Sequence, residues 1–191
     1  DAKVLFGGIS VYLQQNSALF RKTPWFLDKL WDSRFALKAA ARRSIAVDPK
    51  FLGEMAVAML EGEAGPQRKE FQKMEHELCQ MERPDLLTLP NTLVISMAEA
   101  ARRALHAPIL TTLSGEDLFL EGLLEPYRSR ALQLIRSRVP QVDGFVAVSE
   151  FCKRLMQSYL SLPPDRTYVV PLGVNTQDLA MRETRSDGVF R

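Results

Sequence analysis

The sequence has two cysteines, two histidines, no long run of one charge and no apolar run of membrane length. Each shortage removes a class of protein. Cys79 and Cys152 stand alone in separate predicted helices, so they form neither a disulfide framework nor a zinc-ligand set. Reduced thiols in a cytoplasmic protein are the expectation. No signal-peptide pattern or spanning segment occurs. The net charge is +2 and the isoelectric point about 8.6. Basic residues are scattered or sit in predicted helices, as in Arg42-Arg43 and Arg102-Arg103. Solvated helix faces explain them better than a nucleic-acid surface. Neither G-x-G-x-x-G nor G-x-x-x-x-G-K-[ST] is present, which argues against a standard dinucleotide site or P-loop. Internal repeats and low-complexity tracts are also missing.

What remains is an ordinary globular composition, 46% apolar and 25% charged, in a chain of 191 residues. That is enough for one domain with a substantial core. Lys3 to Phe6 is a short strand candidate, followed by Gly7-Gly8 and a helix carrying Ile9, Leu13 and Phe20 on one side. Trp25, Phe26, Leu27, Leu30 and Trp31 form a dense apolar cluster, and Ser33 is placed to cap a helix over residues 34–43. Asp48-Pro49 is a helix start, a cap residue followed by proline at the first helical position. The expected inward residues there are Leu52, Met55, Ala56, Met59 and Leu60, with a break over residues 61–65. A further helix from Pro66 directs Phe71, Met74, Leu78 and Met81 inward and its Lys, Glu and Gln residues outward.

From Pro84 the rhythm changes to alternating strands and helices. Strands are predicted over residues 86–89, 108–113, 145–148 and 168–170. Between them, helices use Val94, Met97, Ala98, Ala101 and Leu105; then Leu124, Tyr127, Ala131, Leu134 and Ile135; then Phe151, Leu155, Met156, Tyr159 and Leu160. Phe145 to Val148 is short and unalternating, which suits a strand buried on both faces. Ser149 follows as a helix cap, and Pro163-Pro164 ends that helix. Successive strand–helix–strand units indicate an α/β domain with a parallel sheet. Ligands of such sheets sit at the carboxyl ends of the strands.

The stretch AVSEFCKRLM followed by YVVPLGVN resembles the segment that closes the first domain of GT-B glycosyltransferases of the family-4 type. Pro90-Asn91 resembles that family's turn of His or Pro followed by Asn. Leu113 to Asp117 resembles its T-x-H-G-E/D turn, with Ser114 where the family has a histidine. Gly7-Gly8 resembles its glycine-rich loop beneath the nucleotide phosphates, although the GH-x-V strand that usually follows is missing. The resemblance covers roughly residues 84–178.

It implies a Rossmann-like first half of a GT-B architecture over residues 1–181, with residues 182–191 as a linker to a C-terminal domain. The chain starts at Asp1 and ends on a strand-like Val189-Phe190, so it is read as a piece of a longer protein whose first strand or two lie upstream. The implied activity is transfer of a sugar from a nucleotide-sugar donor to an acceptor hydroxyl, without metal or cofactor. The implied partners are the nucleotide-sugar, an acceptor glycan or small molecule, and the C-terminal domain. Nucleic acid is not among them, and peripheral membrane contact stays open. Ser114 and Glu116 are the candidate catalytic residues. Gly7, Gly8, Asn91, Gly115, Ser149 and Asn175 are the candidate binding residues.

Each candidate also has a plain structural reading. Asn91 or Thr92 caps a helix, Glu116 and Asp117 favour a helix N-terminus through its dipole, and Gly7-Gly8 is an ordinary turn. Ser149 has no glycine elbow, and His76 and His106 sit in or at the end of predicted helices, so Ser-His-Asp catalysis is not supported. The competing function is a non-catalytic α/β carbohydrate- or partner-binding domain, which Ser114 in place of histidine favours.

Overall fold

A computed structural model of the chain describes Val11, Gln14, Gln15, Phe20, Arg21, Thr23 and residues 48–174. The predicted strand at Lys3, the Gly7-Gly8 turn, the tryptophan cluster, the helix from Ser33, Asn175 and the linker lie outside the described residues. The helices are α1 (Pro49–Glu61), α2 (Arg68–Leu78), α3 (Met97–Leu105), α4 (Glu116–Glu121), α5 (Tyr127–Arg138) and α6 (Glu150–Leu160). The strands are β1 (Leu87–Leu89), β2 (Ile109–Leu113), β3 (Gly144–Ala147) and β4 (Thr167–Val169). They form one parallel sheet in the order β1-β2-β3-β4. The fold is α/β and Rossmann-like, as the alternating pattern predicts.

The register shows which side chains share a face. Leu89 stands opposite Thr111, Thr111 opposite Phe145, Leu113 opposite Ala147, and Phe145 opposite Thr167. All of these are buried. Leu89, Ile109, Leu113, Phe145 and Ala147 pack with Ala98 and Ala101 of α3, Leu120 of α4, Ala131 and Ile135 of α5, and Met156 and Leu160 of α6 in one continuous core. The opposite face carries Thr88, Leu110, Thr112, Val146 and Tyr168, which are half-buried or exposed. β3, the strand expected to be buried on both faces, is the best covered on this second face, with Gly144 buried and Val146 half-buried. Crossovers of one hand that always step in the same direction bring the connecting helices α3, α4, α5 and α6 to the same side of the sheet.

Local chemistry explains most element boundaries. Asp48 accepts from Lys50 N at 3.0 Å and starts α1. Ser149 accepts from Cys152 N at 3.1 Å and starts α6. The strands begin or end within a residue or two of expectation. Gly122 and Pro126 split the single helix expected after β2 into α4 and α5, and Leu124 between them is exposed. In α1 the buried residues are Gly53, Ala58 and Leu60, while Leu52 faces solvent. The reason is close packing: a Cβ on Gly53 would lie 2.6 Å from the Tyr127 ring of α5. Glycine adds nothing to an apolar pattern, so that face is invisible in the sequence. In α6 the inward face is Cys152, Met156, Tyr159 and Leu160. Phe151 and Leu155, expected inward, lie one residue (about 100° around a helix) from that face and are exposed.

The polar side of α2 departs further from expectation. Gln67, Lys69, Glu70 and Lys73 are buried, not outward, and Met81 lies beyond the helix and exposed. Glu70 accepts from Gln14 Nε2 at 2.7 Å and from Lys73 Nζ at 2.9 Å, and Lys69 Nζ donates to Thr23 Oγ1 at 2.9 Å. Gln14 and Thr23 thus bond the polar residues of α2. Phe71 and Met74 pack on the other side against Ala100 of α3.

At the amino-terminal end of the strands, Asp143 ties β3 to its neighbours. Its Oδ2 accepts from Ile109 N and from the Arg102 guanidinium, both at 2.7 Å. Burial alone would raise its pKa, but the Ile109 amide and Arg102 outweigh that and hold the carboxyl below its usual range. A depressed folded-state pKa stabilises above the unfolded value and is lost as pH falls through the folded value. Asp143→Ala is therefore expected to cost about 1–2 kcal/mol at pH 7. The gap to wild type should close as pH falls below about 4. Thermal unfolding of both proteins from pH 7 to pH 2 checks this; a gap constant with pH would refute it.

Candidate active site

Parallel strands place their carboxyl ends together, and the loops leaving β1, β2, β3 and β4 form one rim. After β1, Asn91 takes an extended backbone, and its Oδ1 accepts from Leu93 N at 3.1 Å to cap the turn Thr92–Val94. That leaves the Asn91 Nδ2 group as a half-buried donor at the rim. After β2, Ser114 and Gly115 are exposed. Gly115 is left-handed at φ 89°, and no atom lies within 4 Å of where its Cβ would stand. Backbone conformation, not crowding, demands glycine there, and the space above it is open. After β3, Ser149 is exposed and its hydroxyl caps α6. After β4, residues 171–174 run exposed, Gly173 among them.

Glu116 belongs to the same end but points inward. It is buried, with Oε1 accepting from Thr92 N at 3.0 Å and from Thr92 Oγ1 at 2.8 Å, and Oε2 accepting from Ser114 N at 2.7 Å. Cys152 makes a further link near this end, between α6 and the last residue of β2: its Sγ donates to Leu113 O at 3.8 Å. Burial pushes the Cys152 thiol up, the charges of Glu116 and Asp117 push it the same way, and the hydrogen bond with the Val148 backbone offsets them only in part. A thiol in that setting is a poor nucleophile. Tyr159 Oη donates to Glu121 Oε1 at 2.7 Å and holds α6 against α4.

Four of the sequence candidates, Asn91, Ser114, Gly115 and Ser149, thus share one rim, with Glu116 beneath it. Gly7, Gly8 and Asn175 lie outside the described residues. Thr92 and Cys152 were not singled out as parts of a site. Thr92 carries only a general cap signal, and nothing local to Cys152 points to the carbonyl of Leu113. His76 is exposed on α2 beside Gln80, and His106 caps α3 just before β2, away from the rim. A shallow hollow lined by Glu99, Arg102, Arg103 and His106 also lies at that far end. Its arginines are already engaged, Arg102 by Asp143 and Arg103 by Glu63 and Glu75. Among the described residues no group of three or more His, Cys, Asp or Glu is arranged to hold a metal, and no helix is long and apolar enough to cross a membrane.

The profile of Glycosyltransferase Family 4 matches residues 64–178, more than half of the chain and all of β1 to β4. The chain belongs to Glycosyltransferase Family 4. Sugar transfer is the general function of that family, and membership implies binding of a nucleotide-sugar donor and an acceptor. No curated protein matches the chain. In this family-4 domain the whole described rim, from Asn91 to Gly173, falls inside the matched residues.

Proposed function

We propose that the chain is the N-terminal, acceptor-side domain of a GT-B glycosyltransferase that moves a sugar from a nucleotide-sugar donor to an acceptor hydroxyl. The observation that supports this best is the rim itself. Three neighbouring parallel strands, β1, β2 and β3, deliver Asn91, Ser114, Gly115 and Ser149 to one end of the sheet, inside the family match. In this reading the Asn91 Nδ2 group and the Ser114 hydroxyl hydrogen-bond sugar hydroxyls. Gly115, bare of a side chain, lets the ligand approach the backbone. Ser149 keeps the start of α6 in place beside the ligand. The same reading assigns Gly7 and Gly8 to the donor phosphates and Asn175 to substrate binding.

Residues 1–181 form this domain, residues 182–191 are a linker, and a second Rossmann-like domain supplies the other wall of the cleft. A cleft between two domains needs both walls, so the 191-residue chain alone transfers no sugar. Calorimetry with a panel of nucleotide-sugars and free nucleotides, on this chain and on the full-length protein, tests the reading. Binding by the full-length protein and not by the shorter chain is the expected result. Robust sugar transfer by the 191-residue chain alone would overturn the two-wall reading. Absence of binding by both would favour a non-catalytic carbohydrate- or partner-binding domain, the reading to which Ser114 in place of a histidine gives weight.

A further inference from the structure

We infer that Glu116 is a positioning residue. Its carboxylate locks the Asn91 and Ser114 loops into one rigid acceptor rim and does not itself serve as base or sugar ligand. The inference rests on the acceptor-side reading above and assigns a device to it. A carboxylate has about four lone-pair sites, and protein donors fill three of them here, two from Thr92 and one from Ser114. Only 4% of the residue is exposed. A group so enclosed reaches substrate poorly, but it sets the geometry of its donors.

Those donors matter because of their neighbours. Thr92, fully buried, follows Asn91 directly, and the Asn91 side chain is fixed in turn by Leu93 N. Ser114 is held at its own amide, so its hydroxyl rises from an anchored backbone. The loops follow two different strands, 22 and 23 residues apart in the chain for Asn91 to Leu113 and Asn91 to Ser114. Among the described residues, only this side chain is seen to bond both. The left-handed Gly115 makes the reach possible, turning the chain so that Glu116 bonds the amide two residues before it. Pre-organised groups of this kind govern rate because small displacements of binding groups are costly.

The test uses the full-length protein and two variants. Glu116→Gln keeps the size but turns one acceptor into a donor, which opposes either Thr92 or Ser114. Thr92→Val keeps the shape and removes only the hydroxyl bond. Backbone amide hydrogen exchange at Thr92 and Ser114 reads the clamp directly, whether or not the protein is active. Exchange should quicken in E116Q. In the same protein the KM for acceptor should rise about tenfold or more, while the Kd for nucleotide-sugar stays within about twofold, because the donor lies mostly on the other domain. T92V should move acceptor KM the same way by about threefold. Unchanged exchange at both amides in folded E116Q would overturn the clamp. Faster exchange with unchanged acceptor KM and kcat would overturn its role in the rim, as would equal losses for donor and acceptor. A wild-type protein without sugar transfer would instead sink the functional reading, and the exchange data would then decide the clamp by themselves.

Discussion

Phe145→Ala is expected to lower the stability of the domain by about 3–5 kcal/mol. Phe145 is fully buried in β3, an interior strand of the described sheet, and shares its face with Thr111 on one side and Thr167 on the other. Removing the ring leaves a void between the sheet and the helices α5 and α6, and close-packed surroundings collapse into such a void only in part. The loss is large against a total domain stability of about 5–15 kcal/mol. Phe151→Ala is the control. That ring is 69% exposed at the start of α6, and its removal should change stability by less than about 0.5 kcal/mol. Urea unfolding of both variants, compared at equal slope, separates the two. Equal losses would contradict this difference in burial.

Glu70→Ala is expected to cost a similar amount, about 3–5 kcal/mol, for a different reason. Glu70 is fully buried and Lys73 nearly so, with 2.9 Å between Oε1 and Nζ. Truncating the acid takes the carboxylate at 2.9 Å away from the buried Lys73 and strips Gln14 of its acceptor. The desolvation penalty of the remaining charge dominates. Adding Lys73→Met to Glu70→Ala should therefore restore part of the loss, since the buried charge that lost this carboxylate is gone. Denaturant midpoints for the two single variants and the double variant give the coupling directly. A double variant less stable than the sum of the singles would argue that hydrogen bonding, and not burial of charge, governs this site.

Both effects depend on burial, and burial was legible only in part. Strand positions came through well, because runs such as Phe145 to Val148 and Ile109 to Leu113 have no helical reading at that length and are bounded by Gly or Pro. The caps at Asp48 and Ser149 came through because they rest on the residue itself and the next three. The rim followed from topology: once the strands are parallel, their carboxyl ends must lie together. The sequence places Glu70 and Lys73 outward, because a charged helix face ordinarily meets water; among the described residues Gln14 and Thr23, distant in sequence, bond that face. The sequence places Phe151 and Leu155 inward, because two faces one residue apart are both apolar in α6.

Elements, their order, the parallel sheet and the set of strand-end loops are therefore short-range properties of this chain, readable from spacing, caps and turn residues within a few positions. Three matters were decided by packing alone: which sheet face is covered, which polar side chains of α2 are buried, and which way Glu116 points. Each depends on what another segment, tens of residues away, brings against it. Gly53 beneath Tyr127, Gln14 on Glu70 and Thr92 on Glu116 are contacts of that kind. No local pattern encodes them, because the free energy that selects them comes from desolvation and close fit between surfaces that meet only in the folded chain.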